Sequence, residues 1–326
     1  MNKRIIIIAI LIILINTNIA LSYTGKIKFS DNKIISNNSI NKKVPTLNNT
    51  RFKNYDGKTN YLAVIIGVGG RYTNQDAIEL RNTLFRYKWK LQNIKLLTDE
   101  KATKENILDT FEWLKEKEDA DDIILFYFCG HGNQLEKDEE PIDENDGKDE
   151  YIEPYDYDEF ANENKILDDE LSLEFNKLES KNILIIFDCC HSGGMIDGTN
   201  DLKKTNRIVL TACNTTEEAF ENDFMKHGVF TYFLLESFKL EQKNIVDINE
   251  NEKISAEEIF NYAEPKVLNF TILPPYQEEI HPQIYDGYPT DDNNSNDLDI
   301  IDKKEKRMNR RIVEIFILKN IFFKKS

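Results

Sequence analysis

The chain has 326 residues, 40% hydrophobic and 31% charged, which suits one large α/β domain with tails and excludes wholesale disorder. Lys and Arg number 42 against 58 Asp and Glu, a net charge of −16; such an acidic chain is unsuited to non-specific contact with a nucleic-acid phosphate backbone. Four cysteines, three of them beside expected strand ends, are too few and too clustered for a disulfide framework.

Lys3 and Arg4 precede an unbroken apolar run from Ile5 to Ile15. Its length suits the apolar region of a signal peptide and falls short of the ~20 residues that span a bilayer. Ala20 and Ser22 supply a small-x-small pattern, so residues 1–22 are expected to be a cleaved signal; the competing reading is an uncleaved N-terminal anchor extending to Leu21. Either way the domain is expected to be exported. Residues 23–58, rich in Asn, Lys, Ser and Thr without sustained periodicity, read as a pro-segment or linker.

From 59 to 289, short apolar runs alternate with helical stretches. The runs Leu62–Ile66, Ile94–Leu97, Ile123–Phe128, Ile183–Phe187 and Ile208–Thr211 have the length and continuity of buried parallel strands. Helices are expected over Gln75–Tyr87, Thr103–Lys117, Asp169–Leu178 and Val229–Leu240, with Thr103 and Asp168 as N-caps. The alternation predicts an α/β fold with a mostly parallel sheet and helices on both faces. Chemistry in such sheets sits beyond the carboxyl ends of the strands.

Two of those ends carry reactive groups. The third strand runs into Cys129-Gly130-His131-Gly132, the fourth into Asp188-Cys189-Cys190-His191-Ser192-Gly193-Gly194. A histidine can activate a neighbouring thiol and later protonate a leaving amine, and backbone N–H groups of Gly132 and Cys190 can hold a developing oxyanion. His191, the immediate neighbour of Cys190, is expected to point away. A zinc site from Cys129, His131, Cys189 and Cys190 has donors but lacks the usual C-x-x-C spacing.

These two segments resemble the catalytic blocks of the metacaspases, in the caspase-like clan of cysteine proteases. The resemblance continues in Asp149-Glu150-Tyr151-Ile152-Glu153-Pro154-Tyr155-Asp156, Ile166-Leu167-Asp168-Asp169-Glu170 and His227-Gly228-Val229-Phe230-Thr231-Tyr232, and more faintly in His281-Pro282-Gln283. It implies a caspase-like sandwich around a six-stranded sheet. It further implies His131 as general base and acid, and Cys190 as nucleophile. The pocket for the residue before the scissile bond (P1) would be acidic through Asp76 and Asp188, selecting Arg or Lys. The four aspartates of calcium-dependent relatives fall on Asp149, Asp168, Asp169 and Asp197, implying Ca²⁺ as an activating cofactor, and a monomer is expected.

That calcium expectation bears on the uneven charge. Residues 136–174 hold 18 acids and 3 lysines, a balance of −15. An EF-hand does not explain it: with Gly147 at the obligatory sixth position the first ligand would be Ile142. Against the family pattern, Cys129 and Cys189 stand where serine is usual; Cys129 is expected to crowd the P1 pocket, and either thiol to be able to pair with Cys190 under oxidising conditions. The connection 195–207 contains Lys203, Lys204 and Arg207, expected sites of autoprocessing. Two rivals remain: an asparaginyl-specific relative, and a catalytically silent calcium-binding module. The last 25 residues, 302–326, carry 9 basic and 3 acidic groups, and Met308–Ser326 reads either as an amphipathic helix touching an anionic membrane surface or as a terminal helix packed on the domain.

Overall fold

The computed structural model describes residues 57–302 apart from positions 88, 143, 145, 199–201, 240, 241 and 289–296. The expected signal peptide, nearly all of the linker, and the basic tail lie outside the described residues. Among the described residues no helix is long and apolar enough to cross a membrane.

The chain begins as β1 (Tyr61–Gly67), α1 (Thr73–Phe85), β2 (Ile94–Thr98), α2 (Lys104–Lys117) and β3 (Ile123–Cys129). A small meander follows, β4 (Gly132–Gln134), β5 (Glu150–Ile152) and β6 (Ile166–Leu167), then α3 (Asp168–Phe175), β7 (Asn182–Asp188) and β8 (Arg207–Thr211). A hairpin of β9 (Glu221–Asn222) and β10 (His227–Gly228) leads into α4 (Val229–Ser237) and the short α5 (Lys243–Val246). Last come β11 (Lys253–Ser255), α6 (Ala256–Thr271), β12 (Gln283–Asp286) and β13 (Asp299–Asp302).

The central sheet has six strands in the order β12-β8-β7-β3-β1-β2. The five expected strands are parallel; β12 is the sixth, antiparallel to β8 at the edge. Successive residues of a strand face opposite sides, and the two cores divide by that parity. Ala63, Ile65, Leu125, Tyr127, Leu184 and Ile186 pack with α1, α4 and α6. Leu62, Val64, Ile66, Phe126, Phe128, Ile185 and Phe187 pack with α2 and α3. Both faces are covered, which is why the strands read as continuous apolar runs.

Thr103 caps α2 as expected, its side chain accepting from the Asn106 N–H at 3.3 Å. Asp168 does not cap α3. The extended residue is Leu167, and Asp168 is the first helical one, placing Asp168, Asp169 and Glu170 in a first turn whose dipole favours acids. Helix α6 had no counterpart in the expected elements because Pro265 interrupts its pattern. It starts from a reciprocal capping box, Ser255 Oγ accepting from Glu258 N–H and Glu258 Oε2 from Ser255 N–H, both at 3.1 Å.

The domain continues past residue 289. β13 pairs with β11, and Leu298, Ile300 and Ile301 are buried in the α1/α4/α6 core. Arg207, expected as a scissile residue, is the buried first residue of β8. Its Nη2 donates to Asn176 Oδ1 at 3.0 Å and its guanidinium lies 5.5 Å from the Phe175 ring. Burial lowers its pKa to about 10, and no protease reaches a residue so held without unfolding the sheet.

Candidate active site

Strands β3 and β7 are neighbours in register, with Cys129 opposite Asp188 at their carboxyl ends. Beyond that line the two chains leave the sheet with the expected groups. After β3, Gly130 N–H donates to the Asp188 carbonyl at 3.3 Å and His131 emerges at the surface. The turn after β1 supports it. Gly69 adopts φ +82°, and a Cβ there would lie 3.0 Å from the imidazole Cδ2 of His131, so that position needs glycine for both conformation and space.

After β7 the chain passes Cys189 and Cys190 and reverses at His191, whose φ is 57°. His191 N–H donates to the Glu217 carbonyl at 2.9 Å and its Nδ1–H to the Thr215 carbonyl at 2.8 Å. It therefore anchors the turn, away from the cleft. His131 and Cys190 line one cleft of about 200 Å³ with Cys129, Gly130, Asp188 and Gly228. The Cys190 thiol is half-buried and donates to the Ala219 carbonyl at 3.8 Å. Burial pushes its pKa up, partly offset by that bond.

Gly132 packs on the backbone of Cys190: a Cβ on it would come within 2.6 Å of the Cys190 carbonyl oxygen. Glu153 N–H donates to the His131 carbonyl at 3.0 Å, so the next opposed pair, Gly132 and Ile152, is one whose backbone groups turn away from each other. That geometry leaves the Gly132 N–H directed off the β4–β5 ladder.

The floor of the cleft follows from strand parity. Cys129 and Asp188 fall on the α1/α4 side of the sheet, and Asp76 of α1 comes to meet them; ligand atoms of the three lie within 4.8 Å of one another. Asp188 Oδ2 accepts from Thr231 N–H at 2.9 Å and from Thr231 Oγ1 at 2.6 Å. Burial pushes Asp188 up to about 7, against those bonds and with the repulsion of Asp76. Cys129 sits 3.7 Å from Asp76 Oδ2 as part of the cleft floor. Cys129 and Cys189 are buried free cysteines whose pKa values burial drives well above the usual range; they are held as inert thiols.

The four aspartates assigned to calcium do not form one equal set. Carboxylate oxygens of Asp149 and Asp168 group with Glu144, and that of Asp197 groups with Glu144 and Glu150, each trio within 4.8 Å. Asp169 belongs to neither trio, although its charge is felt at Asp149. Asp149 is buried; its Oδ2 accepts from Glu139 N–H at 2.8 Å, and Oδ1 has no hydrogen bond. Desolvation, then neighbouring acids, push its pKa up to about 6. A buried carboxylate oxygen without a donor, among further carboxylates, fits a hard divalent cation.

Four residues with evident roles were not singled out from the sequence. Glu144 and Glu150 were hidden among many acids. Thr231 and His227 lay inside a block noted for its resemblance but given no role, and their meaning appears only when β10–α4 is laid against Asp76 and Asp188. Glu150 also joins the acidic cluster to the segments that carry His131 and Cys190. Its Oε1 accepts from Gln134 Nε2 at 2.6 Å, and a Cβ on Gly194, just after the Cys190 turn, would lie 1.9 Å from its carboxyl carbon.

Fold and site together define a caspase-like α/β domain with a cysteine and a histidine at adjacent strand ends. Comparison with known proteins agrees in kind: residues 62–199 match the family profile described as metacaspase, peptidase C14 domain. Metacaspase-1 of Candida albicans is 30% identical over 165 residues, covering 46% of this chain and 36% of that protein. Metacaspase-1A of Aspergillus oryzae is 37% identical over 114 residues (32% of this chain, 26% of that protein), and metacaspase-3 of Arabidopsis thaliana 32% over 153 residues (44% and 39%). The chain thus spans about a third of the length of the curated relatives it matches. A solved structure of a protein from Geobacter sulfurreducens superposes with a TM-score of 0.48 at 17% identity, covering 69% of this chain and 92% of that one, a likeness too slight to argue from.

Proposed function

We propose that the chain is an exported cysteine endopeptidase that cleaves after Arg or Lys and is activated by calcium. The observation that carries the reading is the convergence of His131, Cys190 and Asp188 on one cleft. His131 takes the Cys190 proton as Sγ attacks the scissile carbonyl, then gives it to the leaving amine; water, with His131 again as base, releases the thioester. The N–H groups of Gly132 and Cys190 hold the tetrahedral oxyanion. The carboxylate at the floor favours a guanidinium or ammonium over the neutral side chain of Asn, which sets aside an asparaginyl preference.

Asp149, Asp168, Asp197, Glu144 and Glu150 would hold the cation, with Asp169 next to them. A bound divalent ion supplies positive charge that offsets the repulsion of these acids. Through Glu150 that change reaches Gln134, just beyond His131, and Gly194, just beyond Cys190. Autoprocessing in the connection narrows to Lys203 and Lys204, since Arg207 is buried in β8. Intact mass mapping of a calcium-activated sample in which both bonds survive would exclude it.

Fluorogenic peptides ending in Arg or Asn, assayed under reducing conditions with calcium or chelator, test the reading. Wild type turns over the Arg peptide with calcium, while Cys190→Ala and His131→Ala each lose at least ~10³-fold in kcat. No turnover of either peptide by wild type would replace the peptidase with a silent binding module.

A further inference from the structure

The two carboxylates at the cleft floor are not equivalent. Asp76 is fully buried and both its oxygens are engaged: Oδ1 faces Nδ1 of His227, and Oδ2 accepts from Gly228 N–H at 2.9 Å. Asp188 commits only Oδ2, to Thr231; its Oδ1 has no hydrogen bond among the described residues. Asp188 borders the cleft and Asp76 does not. A cation entering the cleft meets Asp188 directly, and would have to displace an imidazole to reach Asp76 Oδ1.

His227 is itself held in place. It pairs with Asn222 across the β9–β10 hairpin and is buried beside α1. The titratable and charged groups acting on it are Asp76, Glu79 (3.6 Å from Nε2) and Lys239; the Tyr232 ring lies 5.8 Å away, centroid to centroid. Burial works against its charged form, but the bond to Asp76 and the fields of Asp76 and Glu79 outweigh burial and Lys239, and its pKa rises.

Charge balance points the same way. Asp76 with protonated His227 sums to zero, as does Asp188 with one P1 cation. Two carboxylates on a single P1 cation would leave a net buried negative charge, which a low-dielectric site disfavours. We propose that His227 is the resident counter-ion of Asp76 and a specificity-determining residue, leaving Asp188 alone to take the basic P1 side chain. This rests on the peptidase reading of the cleft and departs from the expectation that Asp76 and Asp188 share that task.

The test compares Arg-ended peptides with citrulline-ended ones, which keep the shape and lose the charge, on the full chain with calcium and reductant. Asp188→Asn collapses the Arg-to-citrulline ratio of kcat/KM by about 100-fold, chiefly through KM, whereas Asp76→Asn keeps the ratio within about threefold of wild type. An equal collapse in Asp76→Asn would overturn the proposal. Should Asp76→Asn fail to fold, His227→Gln decides: freeing Asp76 raises the ratio about tenfold at pH 8, and an unchanged ratio rejects the assignment. NMR titration of His227 in Cys190→Ala gives a readout independent of turnover. Its pKa lies above the ordinary imidazole value and falls by about one unit or more when Asp76 is Asn; an unmoved titration also rejects the pairing. Absence of all peptide cleavage by wild type brings down the peptidase reading and the P1 assignment with it, while the titration still decides whether His227 and Asp76 are a pair.

Discussion

Two clusters of carboxylates lie at the same end of the sheet, and they are built on opposite principles. At the cleft floor the acids are answered from within: His227 and Gly228 engage Asp76, and Thr231 engages Asp188 with two hydrogen bonds. In the loop cluster Asp149 has one backbone donor, and its other oxygen, buried and unbonded, faces neighbours of its own charge. The first arrangement is complete apart from one oxygen open to the cleft. The second would, in the proposed reading, be a donor set for a cation from outside. Under the proposed function identical residue types would serve a substrate in one place and an ion in the other, and what distinguishes them is the supply of hydrogen-bond donors.

The comparison breaks most visibly on the calcium side. Calcium at 100-fold its dissociation constant should stabilise the wild-type chain by about 2.7 kcal/mol, seen as a rise in Tm of several degrees. Asp149→Asn should abolish most of that rise; a Tm indifferent to calcium in wild type would remove the metal assignment and leave the Cys190–His131 pair untouched.

Next in size is the pH dependence of the floor. Asp188 has a folded pKa of about 7, far above that of an exposed aspartate, so the native state holds this proton more tightly than the unfolded chain does. Its ionisation costs stability as pH rises from about 4 through 7. Asp188→Asn should accordingly stabilise the fold by about 2 kcal/mol at pH 8, with the gain vanishing towards pH 4 in denaturant titrations. A gain independent of pH would mean that the buried carboxyl is not the source.

The smallest effect concerns the chain of hydroxyls behind Asp188. Tyr127 O–H lies 2.7 Å from Thr231 Oγ1, which in turn donates to Asp188. Tyr127→Phe removes the outermost link and keeps the inner one, and should cost about 1 kcal/mol with little change in P1 preference. A large loss of Arg selectivity in this variant would show that the network, rather than Asp188 itself, sets the pocket.

Much of the molecule is legible in its sequence. Five strands and four helices follow from continuous apolar runs and helical spacing, because a sheet covered on both faces must be apolar throughout. His131 and Cys190 were legible because both stand among glycines at strand ends, where the fold class puts chemistry. The start of α3, β12, and helix α6 with its Pro265 were not, since each depends on pairing or packing that the local pattern does not show.

By itself, the sequence determined the α/β architecture, the acidic segment and the two reactive residues, all of which are local: runs, spacings and short motifs. The tertiary structure alone decided how charge is apportioned. It brought His227 against Asp76 across 151 positions of chain, Thr231 against Asp188 across 43, and Glu150 onto Gln134 and Gly194. It also buried Arg207 and set Asp169 apart from the other aspartates. The physical reason is that a carboxylate's role is fixed by its solvation and its nearest donors, and these are properties of the packed chain that residue order does not display.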